Sequence, residues 1–286
     1  MKIIDLLRDI RDSLRMEGVP DYAREAEIIL SNVLCKDILS LHIDYGESVD
    51  ESDALKAFDI LSRRVIDREP IQYIFGKVPF YNSILNVNPS VLIPRKETEL
   101  LVERAIEIGK KLSRPKILDI GTGSGAIAIS IAKELANAKV TAVDISEDAL
   151  KVAKANAEEN GVNILLKKSD LFSSLRGKFD IIVSNPPYVS EEEYISLSKD
   201  VRGHEPKIAL VAGDGFDFHR KIIEKSQNFL SEGGTLIMEM GYSQRGGLTS
   251  LIEGQYNQYE FVKDYSGNDR FVVASNVGKE NEKIKV

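Results

Sequence analysis

The sequence predicts an α/β protein in which a small all-helical domain precedes a doubly wound, mainly parallel sheet. From about residue 97 onward, short apolar runs alternate with amphipathic helical patterns, an order typical of right-handed βαβ crossovers. Before residue 70, apolar residues recur at helical spacing with no β-like run between them. With 43% hydrophobic and 29% charged residues, the composition is that of a globular chain with a substantial core.

The first 70 residues predict the helical domain. The stretch IIDLLRDIRDSLRMEG places five apolar side chains on one helix face, namely Ile3, Leu6, Leu7, Ile10 and Leu14. DYAREAEIILSNVLC and ESDALKAFDILSRRVIDRE predict two further long helices. The single cysteine, Cys35, closes the second of these apolar runs, and we expect it in the core.

The next segments predict a linker and then the sheet. Residues 71–95 are rich in aromatic and β-branched residues with turn formers between them, which favours a hairpin linker. Over residues 96–276, KILDIG, KVTAVDIS, NILLKKSDLF, KFDIIVSN and GTLIMEMG predict strands separated by helices, and YEFVKDYSG and DRFVVASN predict a final strand pair. Residues 277–286 are predicted to form a polar, frayed tail.

A glycine-rich turn, DIGTGSG, joins the first of these strands to a helix. Glycines allow a sharp turn and a close approach to a ligand, with N–H groups exposed at a helix start. Gly121, Gly123 and Gly125, together with the intervening Thr122, therefore predict a nucleotide-type site. Asp119, immediately before the turn, can either order the loop or contact a cationic ligand group.

Acidic residues follow the next two strands. Asp144 stands where doubly wound sheets place the acceptor for ribose hydroxyls, with Ile145 beside it, and Asp170 with Leu171 follows the strand after that. So many carboxylates would repel a phosphate-rich cofactor but not a cationic, adenosine-bearing one. This favours S-adenosyl-L-methionine over NAD, with Asp170 or the Leu171 amide near the adenine, although Asp170 can also be a simple loop cap.

The stretch VSNPPYVS ends another strand at the same predicted edge. Two prolines cannot donate ladder hydrogen bonds, so their carbonyls remain available as acceptors. We predict that Asn185 and the Pro186 carbonyl accept both protons of a planar NH2 group, with Pro187 shaping the wall and Tyr188 stacking on the amide plane. Asn185 is also a predicted cofactor-binding residue. Catalysis would then rest on positioning, with no strong general base.

These motifs resemble class I S-adenosylmethionine-dependent methyltransferases acting on planar nitrogen. The further blocks EPIQYIFGKVPFYN, VLIPRKETELLVE and HEPKIALVAGDGFDFHRKI resemble the HemK/PrmC family over nearly the whole chain. The resemblance implies methylation of the glutamine amide in the Gly-Gly-Gln motif of peptide-chain release factors, with S-adenosyl-L-homocysteine as the second product. It also implies that the helical domain helps to recognise the release factor.

One block departs from the family pattern. The family usually reads IPRPETE, whereas this chain has IPRKETE, with Lys96 in place of the second proline. Glu97 and Thr98 remain as candidate cofactor contacts, but Thr98 also suits a helix cap. Glu205 and Pro206 match the family and fit either loop packing or catalysis. His204 and His219 lack metal-ligand spacing, and we predict no metal site.

Other functions stay open at this point. NPPY also occurs in enzymes that methylate exocyclic amines of nucleic-acid bases, and a ribosomal-protein glutamine is another possible acceptor. A nicotinamide-dependent dehydrogenase would explain the glycine turn but not NPPY, and a binding module without activity would not require Asn185.

The composition limits the kinds of partner and of site that we expect. The net charge of −7, from 45 acidic and 38 basic residues, argues against a stable nucleic-acid-binding face. One cysteine excludes an internal disulfide and a cysteine metal cluster. With neither a signal-like segment nor an 18-residue apolar span, we expect a cytoplasmic enzyme. Because the predicted pocket needs no second subunit, we expect a monomer.

Overall fold

The computed structural model describes residues 1–276 of the chain. The chain folds into two compact units, one made of Met1–Phe75 with Lys199–His204 and the other of Gly76–Ser198 with the chain from Glu205 onward. The predicted tail, residues 277–286, lies outside the described residues. We refer to the two parts as the helical unit and the α/β unit.

The helical unit contains no strand-forming segment of its own beyond an isolated bridge between Lys2 and Ser48 within the described chain. Its helices are α1 Ile3–Met16, α2 Tyr22–Leu34, α3 Ile38–Ile43, α4 Glu51–Val65, α5 Ile71–Phe75 and, from a later part of the chain, α10 Lys199–His204. The predicted apolar face of α1 is confirmed, because all five of its residues are buried. Full burial of such a side chain contributes roughly 1.5–3 kcal/mol.

Arg64 is the buried charge of the helical unit. Its side chain is 5% exposed and makes a two-pronged pair with Glu25, with nitrogen–oxygen distances of 2.7 and 3.1 Å. A second carboxylate, that of Asp200 on α10, lies 2.9 Å from Nη1. Because an unpaired buried charge is costly, these two carboxylates allow an arginine to stand among apolar helices and tie α10 to α2 and α4.

The expected core position of Cys35 is wrong. Helix α2 ends at Leu34, and Cys35 takes a left-handed backbone conformation with φ of 52° as the residue that closes the helix. Its side chain is exposed. The apolar run in the sequence includes Cys35, but the helix, and with it the face that packs on the core, ends one residue earlier.

The α/β unit is built on a seven-stranded sheet and a separate two-stranded hairpin. The strands are β1 Lys77–Phe80, β2 Ser83–Asn86, β3 Lys116–Ile120, β4 Lys139–Asp144, β5 Leu165–Lys168, β6 Phe179–Ser184, β7 Leu230–Glu239, β8 Gln258–Lys263 and β9 Asp269–Ser275. The helices are α6 Thr98–Gly109, α7 Ala126–Glu134, α8 Glu147–Glu159, α9 Glu191–Ser196, α11 Asp217–Ser226 and α12 Arg245–Ile252, with a short 3-10 turn at Lys207–Ala209.

The sheet order is β5-β4-β3-β6-β7-β9-β8. The five strands from β5 to β7 run parallel, and β9 and β8 are antiparallel additions. The predicted doubly wound, mainly parallel sheet is therefore confirmed, as is the pairing of the last two strands. Chain order reverses at β3, which has β4 on one side and β6 on the other. In such sheets ligands bind at this reversal, beyond the carboxyl ends of the strands.

One buried side chain links the β1–β2 hairpin to both α8 and the glycine turn. Asn156 on α8 accepts from the backbone N–H of Asn86 at 2.6 Å and donates to the Asn86 carbonyl at 2.9 Å. The same amide donates to the carbonyl of Ser124 in the glycine turn at 2.8 Å. Asn156 thus connects the hairpin with the turn that precedes α7.

The segment after NPPY contains structure that the sequence analysis did not predict. Helix α9 begins with a capping box, in which the Ser190 hydroxyl accepts from the Glu193 N–H and the Glu193 carboxylate accepts from the Ser190 N–H. This Ser-x-x-Glu pattern is a sequence signal for a helix start.

None of the described helices is long and apolar enough to cross a membrane.

Candidate active site

A cleft opens at the carboxyl ends of β3, β4 and β6, where the sheet order reverses. Its empty space, including the part that is open to solvent, is about 1110 Å³. The predicted site residues that line it are Gly121, Thr122, Gly123, Asp144, Ile145, Asp170, Leu171, Asn185, Pro186 and Pro187. Among the described residues, the lining leaves out Asp119, Gly125 and Tyr188. Of the two candidate cofactor contacts in the IPRKETE loop, Thr98 lines the cleft, whereas Glu97 is exposed and does not.

The glycine turn forms one wall of the cleft. Gly121 and Gly123 have φ values of 70° and 52°, and a Cβ built on either would meet no atom within 4 Å. Their faces are therefore open to the cleft. Gly125, with φ of 84°, instead packs on α8, where a Cβ would lie 3.3 Å from the Ala153 side chain. The first two glycines leave room for a ligand, and the third leaves room for a helix.

Asp144 ends β4 beside this turn. One carboxylate oxygen accepts from the Gly123 N–H and the other from the Ser146 N–H, both at 2.9 Å. Each carboxylate oxygen has two acceptor sites, so capacity remains for hydroxyl groups in the cleft. Ser146 also caps α8 by accepting from the Ala149 N–H.

Asp119 lies beneath the turn, fully buried. One oxygen accepts from the Thr122 hydroxyl at 2.6 Å, while Oδ1 has no hydrogen-bond partner within the described chain. Burial raises the pKa of Asp119 to about 7, and the nearby charge of Asp144 acts in the same direction. Of the two predicted roles for Asp119, this placement favours loop ordering.

Asp170 and Leu171 follow β5 at the far side of the cleft. Asp170 is exposed, and Leu171 has a left-handed backbone with φ of 49°. The buried Ser169 hydroxyl donates to the Leu171 carbonyl at 2.8 Å and accepts from the Ser174 N–H at 3.1 Å. This turn holds the Leu171 side chain and the Asp170 carboxylate at the cleft.

The NPPY segment forms the wall that closes β6. The Ser184 hydroxyl donates to the Ile120 carbonyl at 2.8 Å and so joins the ends of β6 and β3. Asn185 donates through Nδ2 to the Thr98 hydroxyl at 3.2 Å. The hydroxyl of Tyr188 donates to Glu239 Oε1 at 3.2 Å, and burial raises the pKa of Tyr188. The phenol is thus held by Glu239 rather than open to the cleft.

Two side chains in this wall were not recognised from the sequence as partners. Thr98 Oγ1 donates to Glu239 Oε2 at 2.6 Å, and both residues are buried. The predicted capping role of Thr98 is not observed, because Thr98 is the first residue of α6 and Glu97 precedes it without a side-chain cap. Glu239 is the last residue of β7, in the run LIMEMG. The one sequence signal that could have indicated its role is an acidic residue at the end of a predicted strand.

The IPRKETE loop contributes apolar lining and an anchored ion pair. Arg95 pairs with the buried Glu205, which also accepts from the Ile93 N–H at 3.1 Å. Glu205 therefore fixes the loop, and Pro206 lines the cleft. Lys96, the residue that departs from the family pattern, is exposed.

The cleft fits the groups of a cationic nucleoside cofactor. Open glycine faces, a carboxylate with spare acceptor capacity and apolar walls from Ile145, Leu171 and Phe218 occur together. Among the described residues, no group of histidine, cysteine and carboxylate side chains is arranged to hold a metal ion.

Comparison with known proteins identifies two families along the chain. The family model described as "PrmC N-terminal domain" matches residues 5–76, and the one described as "Methyltransferase small domain" matches residues 96–200. Among solved structures, the catalytic domain of hMettl16 is similar with a TM-score of 0.56 at 18% identity, covering 82% of this chain and 86% of that one. A ribosomal protein L11 methylase from Lactobacillus delbrueckii has a TM-score of 0.50 at 24% identity, covering 68% and 84%. At these identities the structures support the fold.

Curated relatives give the family. A release factor glutamine methyltransferase from Chlorobaculum tepidum is 35% identical over 94% of this chain and 95% of its own length. Its counterpart from Clostridium acetobutylicum is 38% identical over 96% and 98%, and the one from Fusobacterium nucleatum is 38% identical over 95% and 78%. Each of these matches covers nearly the whole chain. The chain belongs to the release factor glutamine methyltransferase family.

Proposed function

We propose that this protein transfers a methyl group from S-adenosyl-L-methionine to the side-chain amide nitrogen of the glutamine in the Gly-Gly-Gln motif of peptide-chain release factors. The observation that carries the proposal is the orientation of Asn185 at the cleft. Its nitrogen is occupied by Thr98, so its oxygen is the atom left to face an incoming NH2 group. The substrate class is taken from the relatives named release factor glutamine methyltransferase.

The cofactor would lie along the glycine turn. Gly121 and Gly123 leave space for it, Asp144 accepts from its ribose hydroxyls, and Asp170 with Leu171 borders its base. When bound, S-adenosyl-L-methionine supplies a methyl carbon made electrophilic by the sulfonium. Asp119 and Gly125 support the turn from behind.

The residues of NPPY orient the acceptor. Asn185 Oδ1 and the Pro186 carbonyl accept the two amide protons, which turns the nitrogen lone pair toward the methyl carbon. The N–C bond forms as the C–S bond breaks, and the nitrogen then gives one proton to solvent, leaving S-adenosyl-L-homocysteine. Pro187 keeps the wall rigid. The Tyr188 hydroxyl donates to Glu239 and the residue is not part of the cleft lining, so its proposed stacking on the amide requires the face of its ring to reach the occupied cleft.

We further propose that a helical domain of residues 1–70 takes part in recognising the release factor and that residues 71–95 connect it to the methyltransferase domain of 96–276. We place the reaction in the cytoplasm, with the enzyme acting as a monomer and without stable nucleic-acid binding.

The test is methyl transfer from radiolabelled S-adenosyl-L-methionine to a purified release factor. A release factor with alanine in place of the Gly-Gly-Gln glutamine should take up no label. Asn185→Ala should lower turnover about a hundredfold, the scale of losing a positioned transition-state contact. Asn163→Ala, at an exposed asparagine of the same unit, is the matched control. Equal labelling of both release factors would overturn the assigned acceptor, and full activity of Asn185→Ala would overturn its role.

A further inference from the structure

We propose that Glu239 and Thr98 are positioning residues that fix which way the Asn185 amide faces, so that its oxygen and not its nitrogen meets the substrate. This inference rests on the proposed function, because it explains how Asn185 is oriented. It assigns a role to two buried side chains that never need to touch the methyl group.

The argument starts from the number of protons in the hydrogen-bond chain. Glu239 Oε2 lies 2.6 Å from Thr98 Oγ1, which lies 3.2 Å from Asn185 Nδ2. An ionised carboxylate can only accept, and a hydroxyl has one proton. Thr98 must therefore donate to Glu239 and can only accept from Asn185. The amide then presents NH2 to Thr98 and has its oxygen left for the cleft.

The opposite orientation would harm the reaction. If Glu239 carried a proton it could donate to Thr98, and the Thr98 hydroxyl could then donate to Asn185 Oδ1. The Asn185 NH2 would then face the substrate NH2, so that two hydrogen-bond donors oppose each other. The substrate nitrogen that receives the methyl group would lose the hydrogen bond that it donates to Asn185. A carboxylate 141 residues along the chain from Thr98 thus controls a hydrogen-bond polarity at the reacting amide.

The surroundings make this control sensitive to pH. Burial is the main reason that the pKa of Glu239 rises to about 7, and Glu97 adds to it, while the bonds from Thr98 and Tyr188 and the charge of Arg270 act against it. His219 Nε2 lies 2.9 Å from the backbone carbonyl of Glu239, and burial lowers the pKa of His219. Glu239 is therefore ionised, and the relay correctly oriented, above about pH 7.

Thr98→Val and Thr98→Ser form the first matched pair. Valine has the shape of threonine but neither donates nor accepts, so turnover should fall about a hundredfold by misorientation of the amide. Serine keeps the hydroxyl and should recover most of that loss. Because Thr98 lines the cleft, the dissociation constant for S-adenosyl-L-methionine must be measured for both. A loss confined to kcat, with cofactor affinity and KM for the release factor within about threefold of wild type, supports the relay.

Glu239→Gln and Glu239→Leu form the second pair. Glutamine can accept from Thr98 at every pH, so its turnover should exceed that of the leucine variant. It should also lack the rise in kcat that the wild-type enzyme shows between pH 6 and pH 8. Glu232→Gln, at an exposed glutamate of the same strand, should keep that rise.

The outcomes separate the two proposals. A wild-type enzyme that labels no release factor would refute the proposed function. A wild-type enzyme that labels the Gly-Gly-Gln glutamine, with Thr98→Val equally active and Glu239→Gln keeping the pH rise, would refute the relay alone. A Glu239→Leu protein that fails to fold leaves the threonine pair and the glutamine pH profile to decide.

Discussion

Asp119 is a carboxyl group whose surroundings resist its charge. It is fully buried under the glycine turn, with one oxygen bonded to Thr122 and the other without a partner in the described chain. Its pKa of about 7 lies well above the ordinary 3.8, chiefly because of burial. The folded protein therefore holds a proton on Asp119 at pH values where the unfolded chain has released it.

Asp119→Asn should change how stability depends on pH. Since the folded pKa is raised, the wild-type free energy of unfolding falls as pH rises from about 4 to about 7 and levels off above that range. Asparagine keeps the bond from Thr122 without this titration. Urea unfolding followed by circular dichroism at pH 5 and pH 8 should show the variant gaining stability relative to wild type at the higher pH. Parallel stability curves would mean that Asp119 titrates normally.

Asp144→Ala should weaken cofactor binding more than it destabilises the fold. Its carboxylate is only half buried but, in the proposal, accepts from ribose hydroxyls. Hydrogen bonds to a charged group contribute about 1.5–3 kcal/mol, which corresponds to roughly a ten- to hundredfold loss of affinity in calorimetry. Asp148→Ala removes the same charge from the exposed first turn of α8 and is the control. Equal affinities for the two variants would move the ribose site elsewhere.

At the scale of elements, the turn between β3 and α7 uses its glycines for two different purposes. Gly123 faces the open cleft, whereas Gly125 faces α8 and Ile129. The glycine-rich motif DIGTGSG does not distinguish these purposes, because both positions have positive φ. Packing against α8 separates them.

Gly123→Ala and Gly125→Ala should therefore fail in different ways. Both substitutions place a side chain at positive φ, at about 1 kcal/mol. At Gly125 the new methyl would also lie 2.9 Å from Ile129 and 3.3 Å from Ala153, and overpacking adds about 1–3 kcal/mol. Urea unfolding should show the larger loss for Gly125→Ala. Calorimetry should show that Gly123→Ala loses more cofactor affinity than Gly125→Ala, once each loss is compared with the fall in the free energy of unfolding of the same variant. The reverse ranking would contradict the assignment of the two faces.

At the scale of the whole molecule, each unit has its own hydrophobic core, and the helical unit has a buried polar anchor. In the helical unit the anchor is Arg64 between Glu25 and Asp200. In the α/β unit the cleft, with all of its lining, belongs to that unit alone. Ligand binding and loss of a helical anchor should therefore register in different parts of the chain.

Hydrogen–deuterium exchange can test this separation. S-adenosyl-L-methionine should slow exchange around the glycine turn and β4, because ligand binding stabilises the form that holds it. Arg64→Ala should speed exchange in α2, α4 and α10, since breaking a buried ion pair costs roughly 3–5 kcal/mol. Arg63→Ala, whose half-exposed side chain pairs with Glu69, is the neighbouring control. Acceleration spread evenly over both units would contradict separate cores.

The sequence predicted what depends on local pattern. Apolar periodicity was sufficient for α1, and the alternation of strands and helices was sufficient for the sheet and for the edge where Gly123, Asp144 and Asn185 meet. These features need only a few neighbouring residues and the handedness of crossovers. Because the strands are parallel, their carboxyl ends then bring motifs that are distant in sequence to one edge of the sheet.

What was missed depends on long-range packing. Thr98 looked like a helix cap, and nothing local indicated that its hydroxyl meets Glu239 across the unit. Cys35 looked apolar by its neighbours, but the helix ended one residue earlier. Tyr188 looked free to stack, whereas a buried carboxylate accepts its hydroxyl. Side-chain partners far apart in sequence are set by how elements pack, which periodicity does not encode.

Helix α10 gives the protein an unusual order of assembly during its own synthesis. The helical unit is begun by the first 75 residues but includes Lys199–His204, so Arg64 meets Asp200 only after most of the sheet has been translated. The two units are consequently joined by three passages of the chain and not by one linker. Cutting before Gly76 would not yield two intact modules, and recombination at that point would separate an arginine from its carboxylate. The helical unit can therefore be exchanged between relatives only together with a piece inserted after NPPY.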